Sequence, residues 1–473
     1  MDLQLYIEMN PDNFLRKKNK KMNKENVYIK NTVENYHNII FTPSEKYSEL
    51  KNIIVKIKSD NRIYDDIRQL FVNMKLDKEN IGTSKWNPFR DFIKENDNVL
   101  IKPNFVSHIN PKGTIDCMIT NFSLIRPVID YAILALNGTG SIIVGDAPVQ
   151  DCDFNEIKLI NNLEESIEKY KEIYPKIKLM DFRKNQNAEV ECVTVKINEK
   201  SSFSELDNME KEYSITNYDL KLMNAHHTGT THEYIVPKDV LNADVIINMP
   251  KPKTHRKAGM TACMKNFVGI NGNKECLPHH RTGGPNKNGD EFPENDFIKN
   301  IFSWLSKYTY KHNPIINFIR KCVSFIMNKL GKGRFREGSW YGNDTIWRTI
   351  LDLNKLIIYT DKNGILTDIP QRKIFNICDM IISGEKEGPL LPSDKKVGLV
   401  VAGFNQLNND YVIAQIMGFD PQKIKYIENG YKLKELKISA DNKFNVYNEN
   451  GLVKDMKKYN KHFKATDGWK DYL

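Results

Sequence analysis

Short apolar runs alternate along the chain with longer amphipathic stretches, the pattern of strands interleaved with helices. Val27-Tyr-Ile-Lys30 reads as a first strand, and Thr42-Pro-Ser-Glu-Lys-Tyr47 as an N-cap opening a helix. Apolar positions at helical spacing predict a helix over 63–74. Asn98-Val-Leu-Ile-Lys-Pro-Asn104 is a short apolar strand that Pro103 ends, presenting Lys102 and Asn104 at its tip. A helix over 123–136, stopped at Gly138-x-Gly140, and the strand Ser141-Ile-Ile-Val-Gly-Asp-Ala-Pro148 follow. Strand, helix and strand in that order make a βαβ unit, hence a parallel sheet with a right-handed crossover. Both strands release polar residues, Lys102 and Asp146, at one sheet edge. Asp146 also suits the N-cap of the next helix.

The pattern continues with a helix over 156–174, a strand at 178–181, a polar excursion over 183–219 and an apolar strand at 244–249. Residues 297–332 read as helix with a break at Pro314, and Asp344 as the cap of another helix. A strand over 355–359, a helix over 372–382, a turn over 383–389, a strand over 397–402 and a helix over 405–418 complete the pass. The fold class expected is α/β and two-lobed, with mostly parallel sheets flanked by helices and a helical insertion at 297–332. The boundaries expected are a disordered basic arm at 1–26, lobes at 27–243 and 244–430, and a polar tail at 431–473.

Composition changes this picture little. The chain has 473 residues, 40 % of them apolar, and a net charge of +10 spread over a lysine-rich background. No recognition-helix, RNA-binding-sheet or Cys/His-finger pattern accompanies that charge, so no nucleic-acid partner is expected. Seven cysteines lie far apart with no Cys-x-x-Cys pair, which argues against an iron–sulfur cluster and for a reduced, cytoplasmic chain. The first residues lack an apolar core segment, and no run of about 18 apolar residues occurs, so neither a signal peptide nor a transmembrane helix is expected.

The chemistry concentrates over 244–293. The strand ends in a loop bearing Lys251, Lys253, His255 and Arg256, followed by Lys265 and Asn266, by His279-His280-Arg281, and by Asp290-Glu291. Cations at a strand end in an α/β sheet suit an anionic ligand. Histidine is the side chain that titrates near neutrality unperturbed, so His255, His279 and His280 are candidates for general acid or base. Asp290 and Glu291 would orient a histidine or bind a divalent ion through oxygen. A second dense stretch, Trp340 to Asn354, holds Asn343, Asp344 and Arg348; Asp344, Arg348 and Asp352 share a helix face, as a lined crevice or an ion-pair ladder. His226, His227 and His232 do not share a helical face, and Gly229 points to a loop there, so no metal is assigned to them. Over 297–332, aromatic and basic residues interleave, which fits either a hairpin packed on the core or peripheral contact with the inner face of a membrane.

Lys102-Pro-Asn104, Gly145-Asp-Ala-Pro148 and Ala243-Asp-Val-Ile-Ile-Asn-Met-Pro-Lys-x-Lys-Thr-His255 resemble motifs of one family. So do Met264-Lys-Asn-Phe-Val-Gly-Ile-Asn-Gly272, Pro278-His-His-Arg281, Gly289-Asp-Glu291, Gly342-Asn-Asp-Thr-Ile-Trp-Arg348 and Gly384-Glu-x-x-Gly-Pro389. That family is the prokaryotic domain of unknown function 362 (DUF362), and the resemblance spans 27–430. Its members often carry a ferredoxin-like iron–sulfur segment, which this chain lacks. A fainter likeness, through Lys253-Thr-His255-Arg-Lys-Ala-Gly259 and Lys265, is to the nickel-pincer lactate racemases, and would place His255 against a cofactor or substrate between lobes. That family's glycine pair before the lysine is replaced by Ala262-Cys263-Met264, so its nickel cofactor is not carried over.

The expectation is an isomerase- or transferase-type enzyme acting on a phosphorylated or carboxylated small molecule. Lys102, Lys251, Lys253, Lys265 and Arg281 would hold the anion. A non-catalytic protein docking an acidic partner or membrane, and a metal-dependent racemase-like enzyme, are the alternatives.

Overall fold

An eleven-stranded, mostly parallel sheet runs through the molecule, with helices on both faces. The computed structural model describes residues 23–36, 42–53, 62–215, 218–308, 313–440 and 443–473. Most of the expected basic arm, 1–22, and the middle of the 297–332 insertion, 309–312, lie outside the described residues.

The chain opens with β1 (Val27–Asn31), α1 (Arg62–Asn73), β2 (Asn98–Pro103), α2 (Phe122–Leu136) and β3 (Ser141–Asp146). Helices α3 (Phe154–Leu159) and α4 (Leu163–Ile173) lead to β4 (Ile177–Asp181). An excursion follows: β5 (Cys192–Lys196), β6 (Tyr213–Ser214), α5 (Leu220–His226), β7 (His227–Thr228), β8 (Thr231–Pro237) and α6 (Lys238–Asn242). The chain re-enters the sheet at β9 (Val245–Met249), then forms the hairpin β10 (Lys253–His255) and β11 (Gly259–Thr261), the single turn α7 (Cys263–Asn266) and β12 (His280–Arg281). Next come α8 (Phe297–Ser306), α9 (Pro314–Lys329) and α10 (Ile346–Tyr359). Strands β13 (Lys373–Glu387) and β14 (Leu391–Gly403), helices α11 (Gln406–Met417) and α12 (Lys425–Lys432), and strands β15 (Val446–Asn448) and β16 (Gly451–Leu452) close the chain.

The strand order is β16-β15-β1-β14-β13-β9-β2-β3-β4, and β13, β9, β2, β3 and β4 are parallel. From β2 the chain steps outward through β3 to β4, whereas β9 lands on the opposite side of β2. The strand order therefore reverses between β2 and β9, and a crevice at such a reversal, beyond the carboxyl ends of the strands, is where α/β sheets hold ligands. Lys102 stands level with Asn248 there, and Pro103 with Met249.

Both faces of the sheet are covered. Val99, Ile101, Val245 and Ile247 enter one core, and Leu100, Ile246 and Leu399 the other. A strand buried on both faces has no reason to alternate apolar with polar. That explains where sequence periodicity misled. The helix expected over 372–382 and the turn over 383–389 are one strand, β13, buried at nearly every position. The strand expected over 355–359 is the end of α10, where Leu356-Ile-Ile-Tyr359 is an unbroken apolar run that reads as helix or strand alike. The expected single helix over 156–174 is two, separated at Asn162, which sits in the left-handed region. No helix opens at Thr42; a single 3-10 turn stands at Ser48–Leu50.

The chain beyond 430 contributes to the fold directly. β15 pairs with β1, and Trp469 is buried with its indole N–H donating to the Arg256 carbonyl at 2.7 Å. Among the described residues no helix is long and apolar enough to cross a membrane.

Candidate functional site

A cavity of about 450 Å³ opens at the strand-order reversal. Its floor comes from the ends of β2 and β3. Lys102 is fully buried and its Nζ donates to Asp146 Oδ1 at 2.6 Å and to Asn266 Oδ1 at 3.3 Å. Asp146 Oδ2 accepts from the Phe105 N–H at 2.7 Å. Burial pulls the Lys102 ammonium below its ordinary pKa, and the adjacent Asp146 works against that pull. Asn266 ties this floor to β9, its amide donating to the Lys102 carbonyl at 3.1 Å and to Asn248 Oδ1 at 2.7 Å. Gly269 lies so close that a Cβ there would stand 2.0 Å from Asp146 Oδ1. Glycine is required by that approach. Below α7, Asp410 accepts from the Cys263 and Met264 N–H groups at 2.6 and 3.0 Å, and burial raises its pKa to about 7.

The β10–β11 hairpin supplies one wall. Gly259, at φ +80, pairs with His255 and makes the turn possible, since a Cβ there would meet Ile424 at 2.7 Å. Inside that turn His255 Nδ1 accepts from the Lys257 and Ala258 N–H groups, both at 3.1 Å. A ring nitrogen that accepts carries no proton, so neutral His255 holds its proton on Nε2.

His279 has the opposite tautomer. Its Nδ1 lies 2.7 Å from the Leu277 carbonyl, which can only accept, so the proton sits on Nδ1 and Nε2 offers a lone pair. Helix α10 holds this segment through Thr349, which donates to the Pro278 carbonyl, and Asn343, which donates to the His279 carbonyl. Burial lowers the pKa of both histidines well below the ordinary value. Lys265, the other histidine and Lys257 lower His255 further, and Lys257 and Lys265 lower His279. Both rings are therefore neutral at physiological pH.

Cations line the rest. Lys257, Lys265 and Lys274 face the cavity, with Arg256 and Arg320 beside them. Lys257 Nζ donates to His280 Nδ1 at 3.0 Å, and Lys274 Nζ to the Val268 carbonyl at 3.1 Å. Lys265 makes no ion pair with a described carboxylate, and the positive charge of Lys257 adds to the burial that lowers its pKa. Burial brings Lys257 and Lys265 down to about 8 and Lys274 to about 7. The carboxylates on the wall are Asp146, already bound to Lys102, together with Asp151 and Glu337. Positive charge crowded into a partly dry cavity costs free energy, and an anion relieves it.

Of the residues anticipated for the site, His255, His279, Asn104, Asp146, Lys265 and Asn266 meet at the cavity. The others stand behind it. His280 is buried and receives Lys257. Lys251 pairs with Asp379 at 3.0 Å, and Lys253 donates to Asn104 Oδ1 at 2.6 Å. Asp290 accepts from the backbone of Arg281 and Asp344 and from the Thr345 hydroxyl. Glu291 accepts from the Gly283 N–H and the Ser303 hydroxyl, and burial raises it to about 7. Arg281 donates to Asn288 and Asp344. Asp344 binds the Trp347 indole and Arg348 and does not cap α10; Asn343, just ahead of the helix, accepts from the Thr345 and Ile346 N–H groups at 3.0 Å. Lys257, Lys274 and Arg320 were not anticipated. Lys257 had a legible signal, two positions beyond His255 in the same basic loop. Lys274 and Arg320 had none.

No group of three or more His, Cys, Asp or Glu side chains among the described residues is arranged to hold a metal ion. His226 pairs with Glu233, and His232 with Asp207.

Residues 99–415 match the family described as "Domain of unknown function (DUF362)". The chain belongs to the DUF362 family. The matched span contains every residue lining the cavity, from Asn104 to Leu390, while β1, β15, β16 and Trp469 lie outside it. No curated protein and no solved structure was found similar to this DUF362 chain. The likeness to the lactate racemases finds no support in these comparisons.

The depressed lysines give a pH signature. An unfolded lysine keeps its proton to about pH 10.5, so above about pH 7 the unfolded chain binds more protons than the ligand-free folded protein. Stability from these groups therefore rises with pH between about 7 and 8.5. Unfolding midpoints measured across that window are expected to climb less steeply in a Lys257→Met/Lys265→Met/Lys274→Met variant than in the wild type. Identical slopes would contradict this reading.

Proposed function

We propose that this DUF362 protein is an enzyme that holds a phosphorylated or carboxylated small molecule on Lys257, Lys265 and Lys274 and shifts a proton on it. The observation that carries the reading is the pair of neutral, oppositely protonated histidines beside those lysines in one cavity. His279 Nε2 acts as general base toward a C–H or O–H of the substrate. His255, as neutral imidazole, directs its Nε2–H at the substrate oxygen on which negative charge grows, and Lys265 adds its charge there. His280 positions the Lys257 ammonium. This equipment suits an isomerase-type proton shift next to a carbonyl.

Mass spectrometry of the supernatant from denatured protein tests the binding half. A small organic anion should accompany the wild type and be missing from Lys257→Met/Lys265→Met. Incubated in deuterium oxide with that anion, the wild type should exchange solvent deuterium into it, and His279→Gln should do so roughly 10²–10⁴-fold more slowly. Full exchange by His279→Gln would remove the histidine from the mechanism.

A further inference from the structure

Helices α8 and α9 carry an apolar face left exposed among the described residues. On α8, Phe297, Ile301 and Trp304 are exposed at i, i+4 and i+7; on α9, Ile315, Phe318 and Phe325 continue the stripe. Phe297 is 79 % exposed and Phe318 68 %. The two helices account for eight of the eighteen exposed large apolar side chains among the described residues. The inward sides are conventional: Phe302 and Leu305 of α8 and Met327 of α9 are buried, and Arg320 of α9 reaches the cavity wall. These helices therefore have two apolar faces, one turned to the protein and one to solvent. Contiguous exposed apolar surface on this scale marks an interaction site.

Charge selects the partner. Residues 297–336 include nine Lys and Arg and not one Asp or Glu. Lys321 and Lys329 are exposed amid the apolar stripe and make no ion pair with a described residue, Lys329 resting over the Phe325 ring at 4.9 Å. Trp304 packs edge-on against Tyr308 at 5.3 Å. Aromatic and branched apolar side chains flanked by lysines, on helices lying side by side, are the chemistry of a surface seated at the boundary between lipid headgroups and acyl chains. An acidic protein partner would answer the charges but leave the aromatic rim without a matching depth of hydrocarbon.

We propose that the outward face of α8 and α9 docks on the surface of a membrane containing anionic phospholipid, without crossing it. Arg320 then joins the docked helices to the cavity, bringing the site to the membrane surface. The docking rests on the hairpin alone and stands or falls separately from the chemistry in the cavity.

The full chain should sediment with vesicles of phosphatidylcholine mixed with phosphatidylglycerol and stay in solution with phosphatidylcholine alone. Trp304→Ser/Phe318→Ser/Phe325→Ser should abolish sedimentation while leaving the unfolding midpoint in place, because all three side chains are exposed. Lys321→Gln/Lys329→Gln should weaken partitioning at low salt by roughly fivefold per charge removed. Cys322, the exposed cysteine of the seven, lies on the same face, and an environment-sensitive dye attached there should shift to the blue on anionic vesicles. Equal recovery in solution with both kinds of vesicle would overturn the proposal. So would self-association of the chain, without vesicle binding, that the triple substitution abolishes, since the stripe would then be a seam between two copies.

Discussion

Lys257→Met/Lys265→Met is expected to weaken binding of pyrophosphate or citrate by on the order of a hundredfold or more. Each lysine supplies a charge-assisted hydrogen bond of about 1.5–3 kcal/mol to an anion in a partly dry cavity. Two such bonds, even discounted for solvent at the cavity mouth, amount to about 3 kcal/mol, and 1.4 kcal/mol is tenfold in affinity. The folded chain should tolerate the change, because the substitutions remove crowded positive charge that burial already disfavours. Methionine preserves most of the side-chain volume, so a loss of binding with an unfolding midpoint that does not fall separates recognition from folding. Titration calorimetry measures the affinity, and an unchanged affinity in the double variant would place the anion elsewhere.

The second large effect is on stability. Asp146→Ala should lower the unfolding free energy by about 3–5 kcal/mol, because it strands a buried ammonium without its counter-charge. Lys102 is fully buried, its partner is 2.6 Å away, and the Phe105 N–H loses its acceptor in the same step. Removing both charges together, as Lys102→Met/Asp146→Leu, should recover a large part of the loss, since an ion pair replaced by apolar groups is often close to neutral. Urea unfolding compares the three variants. Equal midpoints for Asp146→Ala and the wild type would mean that the pair is not the clamp described.

The βαβ opening was legible because its signals are local: Lys-Pro-Asn ends β2, and Gly-Asp ends β3. Parallel strands then oblige both ends to meet at one edge, and the Lys102–Asp146 pair follows from topology. Elements buried all round were not legible. In β13 and the last turn of α10 the apolar run has neither a helical nor a strand period, so helix and strand read alike. The site region was legible for a similar reason, since polar residues cluster where the chain leaves the sheet. Which of them face the ligand was not. His279 and His280 are neighbours in sequence, yet one lines the cavity and the other supports Lys257 from behind. Arg320 reaches the cavity from an α9 helix remote in sequence, and no local pattern announces such a contact.

Calorimetric titration of pyrophosphate into the wild type, in buffers of differing ionisation enthalpy, tests the anion cavity most directly. Lys274 near 7 and Lys257 and Lys265 near 8 must be held protonated by a bound anion. Binding should therefore take up protons, with uptake growing and affinity falling as pH rises from about 7 to 8.5. Uptake should disappear with the binding in Lys257→Met/Lys265→Met. Binding with no proton uptake at any pH, or binding equally strong in the double variant, would contradict the anion site described for this cavity.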